Sequence, residues 1–362
     1  MNVCASRRAA WMEWRIEEAI RRNAKKLMVK HHVPGLQVAF CVRGRATREI
    51  VIGEARRGET LTPQHRFRIC SLSKPVSAVV ALTLVRDGVV SLDENIAEEF
   101  TEVLPDLAKS GARITLRDLL CHMSGFDTMH SPRAPEEERH WTLRDVLDER
   151  LGEPWKVRRI GEPGTVQCYS GINFWLLQLV LELRSGKPMR ELGRERVFEP
   201  LGMTHAEYEI GEVVPQGIVA VHDDAGNELP AKWAPGGAAS GVVCGARELL
   251  EIAKVTFDGS SLLPEELRRG LCESCAGSRA WTLGWHTYKG VDARSLGHGG
   301  VEVGTRGIAA VVPAAQCGIV ALTNSSGGFY VTKSLTGLLR ELALRSIDEP
   351  VDVRETAAET QI

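Results

Sequence analysis

The chain predicts an α/β fold of the α+β kind, an antiparallel sheet flanked by helices with a mainly helical lobe inserted into it. Three observations carry this. Strand-like runs lie near both ends, at residues 36–42 and 48–52, then at 282–288, 294–298, 306–312 and 318–323. The middle, from residue 71 to about residue 230, carries mainly helical signals and long loops. Amphipathic stretches at 13–32 and 329–345 bracket the whole. If the two groups of strands share one sheet, the middle is left as an insertion.

In chain order, residues 1–12 read as a loose tail and 13–32 as a charged, amphipathic helix. Residues 36–42 and 48–52 read as a β-hairpin joined by 43–47. A loop from Thr60 runs into a short extended segment ending at Cys70. Residues 75–85 are apolar on nearly every side, as in a buried helix. A turn at 161–165 precedes a second helical run, 174–183. Residues 313–316 turn between the last two strands, and the closing helix has an apolar stripe at Val331, Leu335, Leu338, Leu339 and Leu342. Residues 347–362, rich in Glu, Thr and Ala, read as a second tail. The expected organisation is one catalytic domain, 13–346, with a sheet lobe of 13–70 and 236–346 and a helical lobe of 71–235. No internal repeat is visible.

Composition fits a soluble enzyme: 43% apolar and 25% charged residues, near ordinary values. A net charge of −2 gives no reason to expect nucleic acid or an anionic membrane as partner. No run approaches the ~18 uninterrupted apolar residues of a membrane helix, and residues 1–10 lack the apolar core of a signal peptide. The nine cysteines are odd in number and scattered, so a disulfide framework is not expected, and reduced thiols suit a cytoplasmic location. Cys272 and Cys275 have half-site spacing, but no second Cys or His pair accompanies them, and neither metal nor organic cofactor is expected. Composition is silent on oligomeric state.

Residues 71–74 read Ser-Leu-Ser-Lys, which places Ser71 at a helix N-terminus with Lys74 on the same face. A serine hydroxyl is a weak nucleophile until a base takes its proton, and a lysine shielded from water can be that base. Taken alone, this pattern is more often a capping serine followed by a surface lysine. Two further segments supply what acyl transfer needs. Tyr169, in Gln-Cys-Tyr-Ser-Gly-Ile-Asn, stands at another loop-to-helix junction, where a phenol can pass a proton to a leaving group. His298, Gly299, Gly300 and Val301 stand at the end of a strand-like run. Glycines there admit substrate to the backbone, and the N–H groups of Val301 and Ser71 could form an oxyanion hole.

This ordered trio resembles the serine β-lactamase and penicillin-binding protein superfamily, above all the branch of class C β-lactamases, D-aminopeptidases, family VIII carboxylesterases and β-lactamase-like transesterases. The motifs of that branch are Ser-x-x-Lys, Tyr-x-Asn and Lys/His-x-Gly. Here they read Ser71-Leu72-Ser73-Lys74, Tyr169-Ser170-Gly171 and His298-Gly299-Gly300. Further landmarks are Val33-Pro34-Gly35-Leu36, Leu119-Leu120-Cys121-His122-Met123-Ser124-Gly125, Pro200-Leu201-Gly202-Met203, Leu283-Gly284-Trp285 and Leu322-Thr323-Asn324. The resemblance spans roughly residues 13–345. It implies the β-lactamase/transpeptidase-like fold and an acyl-enzyme mechanism on a small-molecule ester or amide.

One departure matters. Gly171 stands where the family has Asn, and so lacks the amide that would bind an acylamino side chain and contact the lysine. Asn173 is two residues on and should point elsewhere. His298 replaces a lysine, and a neutral imidazole is a poorer anchor for a β-lactam carboxylate. The expected enzyme is thus an esterase-like serine hydrolase rather than an efficient β-lactamase. Its alternatives are a transacylase passing the acyl group to an amine or alcohol, and a non-catalytic binding or sensor domain of the same fold. Of the remaining residues, His122 reads as a local hydrogen-bonding residue. Trp155, Trp233, Trp281 and Trp285 read as core, and 126–141 as a possible cleft wall.

Overall fold

The computed structural model describes residues 3–337 except 106, 108–109, 128–133, 136–139, 148–156, 212–213, 259–261, 279, 288–294 and 336. Helix α1 (Val3–Lys30) leads into β1 (Gly35–Cys41), β2 (Arg48–Arg56) and β3 (Glu59–Thr60). The helical part contains α2 (Ser73–Arg86), α3 (Leu116–Leu120), α4 (Ile172–Ser185) and α5 (Gly237–Ser240), followed by α6 (Ala246–Lys254). Strands β4 (His286–Thr287), β5 (Leu296–Glu302), β6 (Thr305–Val312) and β7 (Cys317–Thr323) complete a seven-stranded sheet. Its order is β4-β5-β6-β7-β1-β2-β3, and the pairings are antiparallel.

The first helix begins at Val3, well before the expected residue 13. Its opening turns contain alanines and arginines, which are good helix formers, and hold no proline or glycine. The closing helix is described over 328–335. The expected tail 347–362, with Leu338, Leu339 and Leu342, lies outside the described residues.

Both faces of the sheet are covered, which is why β1 and β7 are buried throughout and mostly apolar rather than alternating. Leu36, Val38 and Phe40 on β1 and Ile319 and Ala321 on β7 pack with Ile16, Ile20, Ala24, Val331 and Leu335 of the terminal helices. Ala39, Cys41, Val320 and Leu322 face the opposite core, with Val76, Val80, Leu249 and Leu250 of α2 and α6. Where the two ends of the chain meet, the Asn324 side chain accepts from Gly35 N–H (2.7 Å) and donates to the carbonyls of Glu54 and Ala55.

Helix α2 is buried along nearly its whole length and packs against α4 and α5. A two-residue strand, Phe67–Arg68, leads to its start and pairs with Val242–Cys244, which in turn pairs with Glu207–Tyr208. Beneath this ladder Arg68 forms a bidentate pair with Glu209, both bonds 2.8 Å, with side chains 6% and 2% exposed. The approach to α2 is thus tied from both sides.

Candidate active site

Ser71 sits in a 3-10 turn, Cys70–Leu72, immediately before α2 rather than on the α-helix itself. Cys70 has φ of +53°, a left-handed conformation unusual for a residue with a side chain. Ser71 is partly exposed while Lys74 is 1% exposed. The predicted shared face is real: Lys74 Nζ donates to Ser71 Oγ at 3.2 Å and to the carbonyl of Ala239 at 2.9 Å. It also lies 5.0 Å from the ring centre of Tyr169 and 5.7 Å from that of Phe174. Among the described residues no carboxylate pairs with it. Ser73 points away into the core, where its Oγ accepts from Val242 N–H at 2.9 Å.

Tyr169 stands just before α4, on the cleft side, 44% exposed. Gly171 is the N-cap of α4, with φ −63° and ψ −32°, an ordinary helical conformation. Asn173 does not reach Lys74. Its Nδ2 donates to His122 Nδ1 (2.9 Å) and to the carbonyls of Cys168 and Ser170.

Ser71, Tyr169, His298, Gly299 and Val301 line one cleft of about 590 Å³, together with Trp281, His286, Gly297, Glu302 and Ile308. Gly300 is not part of this lining. A Cβ there would meet the carbonyl of Ile69 at 2.2 Å and Leu72 at 3.1 Å. The expectation that this glycine admits substrate is therefore corrected: it admits the Cys70–Leu72 turn against β5, which sets Ser71 beside the strand.

His298 is 5% exposed, and its Nδ1 lies 2.8 Å from the carbonyl of Gly299. A carbonyl only accepts, so the proton is on Nδ1 and Nε2 carries the lone pair. Burial, and then the charge of Lys74, push the imidazole down to about 3, leaving it neutral near pH 7. His122 is buried as well and held well below its ordinary value by the same two causes. Its Nδ1 accepts from Asn173 Nδ2 and from Ser170 N–H, so its proton is on Nε2.

Sequence reasoning undervalued two residues. The His122 ring lies 4.6 Å from that of Tyr169, and Trp281 stacks on Tyr169 at 5.2 Å with the planes 20° apart. Both were visible, His122 within a landmark motif and Trp281 among the tryptophans, but nothing local places either beside residue 169. Trp233 and Trp285 are core residues as expected. Trp155 and most of the proposed wall 126–141 lie outside the described residues.

The cysteine reading is also corrected. Cys121, adjacent to His122, is joined by a disulfide to Cys275, with Cα atoms 6.3 Å apart and a sequence separation of 154. Scattered spacing said nothing about a pair brought together by the fold, and the argument for reduced thiols in a cytoplasm loses its basis. Among the described residues no helix is long and apolar enough to cross a membrane.

The topology is the β-lactamase/transpeptidase-like fold. The chain belongs to the Beta-lactamase family, whose model matches residues 20–342. Penicillin-binding protein 4 of Amycolatopsis lactamdurans is 28% identical over 348 residues, covering 87% of this chain and 86% of that one. The D-amino acid amidase of Ochrobactrum anthropi SV3 superposes with a TM-score of 0.72 at 24% identity, covering 92% of this chain and 99% of that one. EstCE1, described as a hydrolase with promiscuous acyltransferase activity, gives 0.71 at 19% identity over 89% and 98%. The two structural likenesses speak to the fold.

Proposed function

We propose that this protein is an esterase-like serine hydrolase working through an acyl-enzyme on Ser71. The observation that carries the reading is the 3.2 Å hydrogen bond between the hydroxyl of Ser71 and the buried amine of Lys74, at the floor of an open cleft. Ser71 Oγ attacks the carbonyl carbon while its proton moves to Lys74 Nζ, which takes it as the free amine. The negative charge forming on the carbonyl oxygen is held by backbone N–H groups of Ser71 and Val301. The turn at Val303–Gly304 closes the hairpin on Glu302 and Thr305. Hydrogen-bond direction alternates along such a pair, so the Val301 N–H faces away from β6. The proton then passes through Tyr169 to the leaving oxygen or nitrogen as the carbon–heteroatom bond breaks. Water, giving its proton back along the same path, releases the acid.

The substrate class follows from what the site lacks. His298 is uncharged and offers no anchor to a carboxylate, and Gly171 brings no amide to an acylamino arm. A β-lactam gains little here beyond its strained carbonyl, whereas an activated ester needs only the nucleophile and oxyanion donors. The test is turnover of p-nitrophenyl esters, D- and L-aminoacyl amides and a chromogenic cephalosporin on one preparation, with intact mass after fluorophosphonate treatment. Covalent labelling and ester turnover well above lactam turnover are expected. Faster cephalosporin hydrolysis would overturn the substrate reading, and absence of an adduct would overturn the nucleophile. Product analysis with added amines separates hydrolysis from acyl transfer.

A further inference from the structure

Among the described residues no hydrogen bond holds the hydroxyl of Tyr169, although a residue that passes protons must be held within a fraction of an ångström of its working place. What fixes the ring is aromatic packing. Trp281 stacks on it, His122 tilts against it at 4.6 Å, and His298 lies at 6.0 Å. Trp281 is the centre of this group, since it also meets His122 at 4.7 Å, His298 at 5.6 Å and His286 at 5.0 Å.

Trp281 is held by its own loop. Its carbonyl accepts from Cys275 N–H (2.9 Å), and its N–H donates to Ser278 Oγ (2.9 Å). The same hydroxyl accepts from Gln167, two residues before Tyr169. Cys275 is bonded to Cys121, the neighbour of His122, and the His122 carbonyl accepts from Cys168 N–H at 2.9 Å. The disulfide therefore closes a ring of contacts whose two arms each press an aromatic side chain onto Tyr169.

We propose that Trp281 is a positioning residue for Tyr169, and that the Cys121–Cys275 disulfide, by fixing the loop that carries Trp281, makes the rate of this site respond to thiol redox state. The inference rests on Tyr169 acting as the proton carrier. Reduction by a dithiol transfers two electrons: the Cys121–Cys275 bond breaks into two thiols, and the reductant closes its own disulfide. The loop then keeps its hydrogen bonds and its packing against the core but loses the covalent tie to the segment that carries His122.

The experiment compares wild type, W281F, W281L and the double variant C121A/C275A. A small p-nitrophenyl acetate substrate is used so that acyl contact with residue 281 is minimal. Each protein is assayed oxidised and after dithiothreitol, with melting curves as the fold control and thiol mapping by mass spectrometry. W281L, which keeps apolar bulk but loses the flat ring, should lower kcat by roughly 10², the cost of about 1 Å of misplacement. W281F should recover most of that loss. A residue that merely supports the fold would change melting rather than show this aromatic rescue. Reduction of wild type should lower kcat by roughly three- to thirtyfold, the range of couplings through a packed network, and leave C121A/C275A unmoved. If the double variant does not fold, the reduced wild type alone decides the redox arm. W281L with wild-type kcat overturns the positioning role. Mapped free thiols at 121 and 275 with unchanged kcat overturn the redox role. Failure of wild type to take up a fluorophosphonate sinks the serine-hydrolase reading instead, whereas a labelled enzyme indifferent to both changes sinks this inference alone.

Discussion

Replacing Lys74 with methionine separates the chemistry of the site from its stability. The two side chains have similar length, so Lys74→Met keeps the packing against Phe174 and removes only the amine. That amine makes two hydrogen bonds, to Ser71 Oγ at 3.2 Å and to Ala239 O at 2.9 Å. Loss of the first removes the base, and positioned acid–base groups contribute ~10²–10⁴ in rate. At about 1.4 kcal/mol per tenfold, this raises the barrier by about 3–5 kcal/mol. Loss of the second strands a buried carbonyl, which costs about 1–3 kcal/mol. Against that, the methionine sulfur needs no hydration, whereas taking an amine to 1% exposure without a carboxylate partner among the described residues carries a desolvation penalty of similar or larger size. The melting temperature should therefore hold or rise while kcat/KM collapses. The assay is ester turnover alongside urea unfolding of both proteins. A Lys74→Met protein active within tenfold of wild type refutes the base assignment. One that is inactive because it has lost several kcal/mol refutes the claim that the lysine is there for chemistry.

Four further outcomes follow from the same geometry. Ser71→Ala should abolish covalent labelling without unfolding the protein. Ser73→Ala should label normally but lose about 1–3 kcal/mol in urea unfolding, because Val242 N–H is left without its acceptor. His298 and His122 remain neutral when folded but take protons near 6.5 when unfolded, so the unfolded state binds more protons below that value. Stability should therefore be full above about pH 6.5 and fall as the pH drops below it, by up to about 1.4 kcal/mol per pH unit for each histidine, with the His298 contribution running down to about pH 3. His298→Gln should show a shallower slope in urea unfolding across that range, and an unchanged slope would contradict the buried neutral state. Glu209→Leu should cost about 3–5 kcal/mol by taking from the buried Arg68 the carboxylate of its bidentate pair, seen as a lowered urea midpoint.

Much of the architecture was legible because the signals are local. The strand runs at 306–312 and 318–323 fall within a residue of β6 and β7, since β-branched and small apolar residues bounded by turns leave little choice. Ser71 and Lys74 are three residues apart, so helical geometry alone brings them together. Tyr169 was legible from its place before an apolar helix. What escaped reading depends on contacts between distant segments. Trp281 and His122 meet Tyr169 only after the lobes pack, and Cys121 finds Cys275 by the same packing. The role of Gly300 is another such case: its sequence motif suggests room for a ligand, but the space is taken by the turn that carries the nucleophile. The early start of α1 was missed for a different reason, because charge and alanine content fit a solvated helix as well as a tail.

The clamp at Asn324 has a consequence for biosynthesis. Asn324 and Gly35 are 289 residues apart in sequence, and the intervening strands separate β1 from its partner β7 until nearly the whole chain exists. At ~5–20 residues per second, β1 and β2 wait for roughly a quarter of a minute to a minute after they leave the ribosome before that edge can be covered. During this interval the hairpin presents an apolar edge of the kind that recruits stray strands from other chains. Yield in a host cell should depend on how well nascent chains are shielded. Slower growth temperatures and abundant chaperones should raise the soluble fraction more than stronger promoters do.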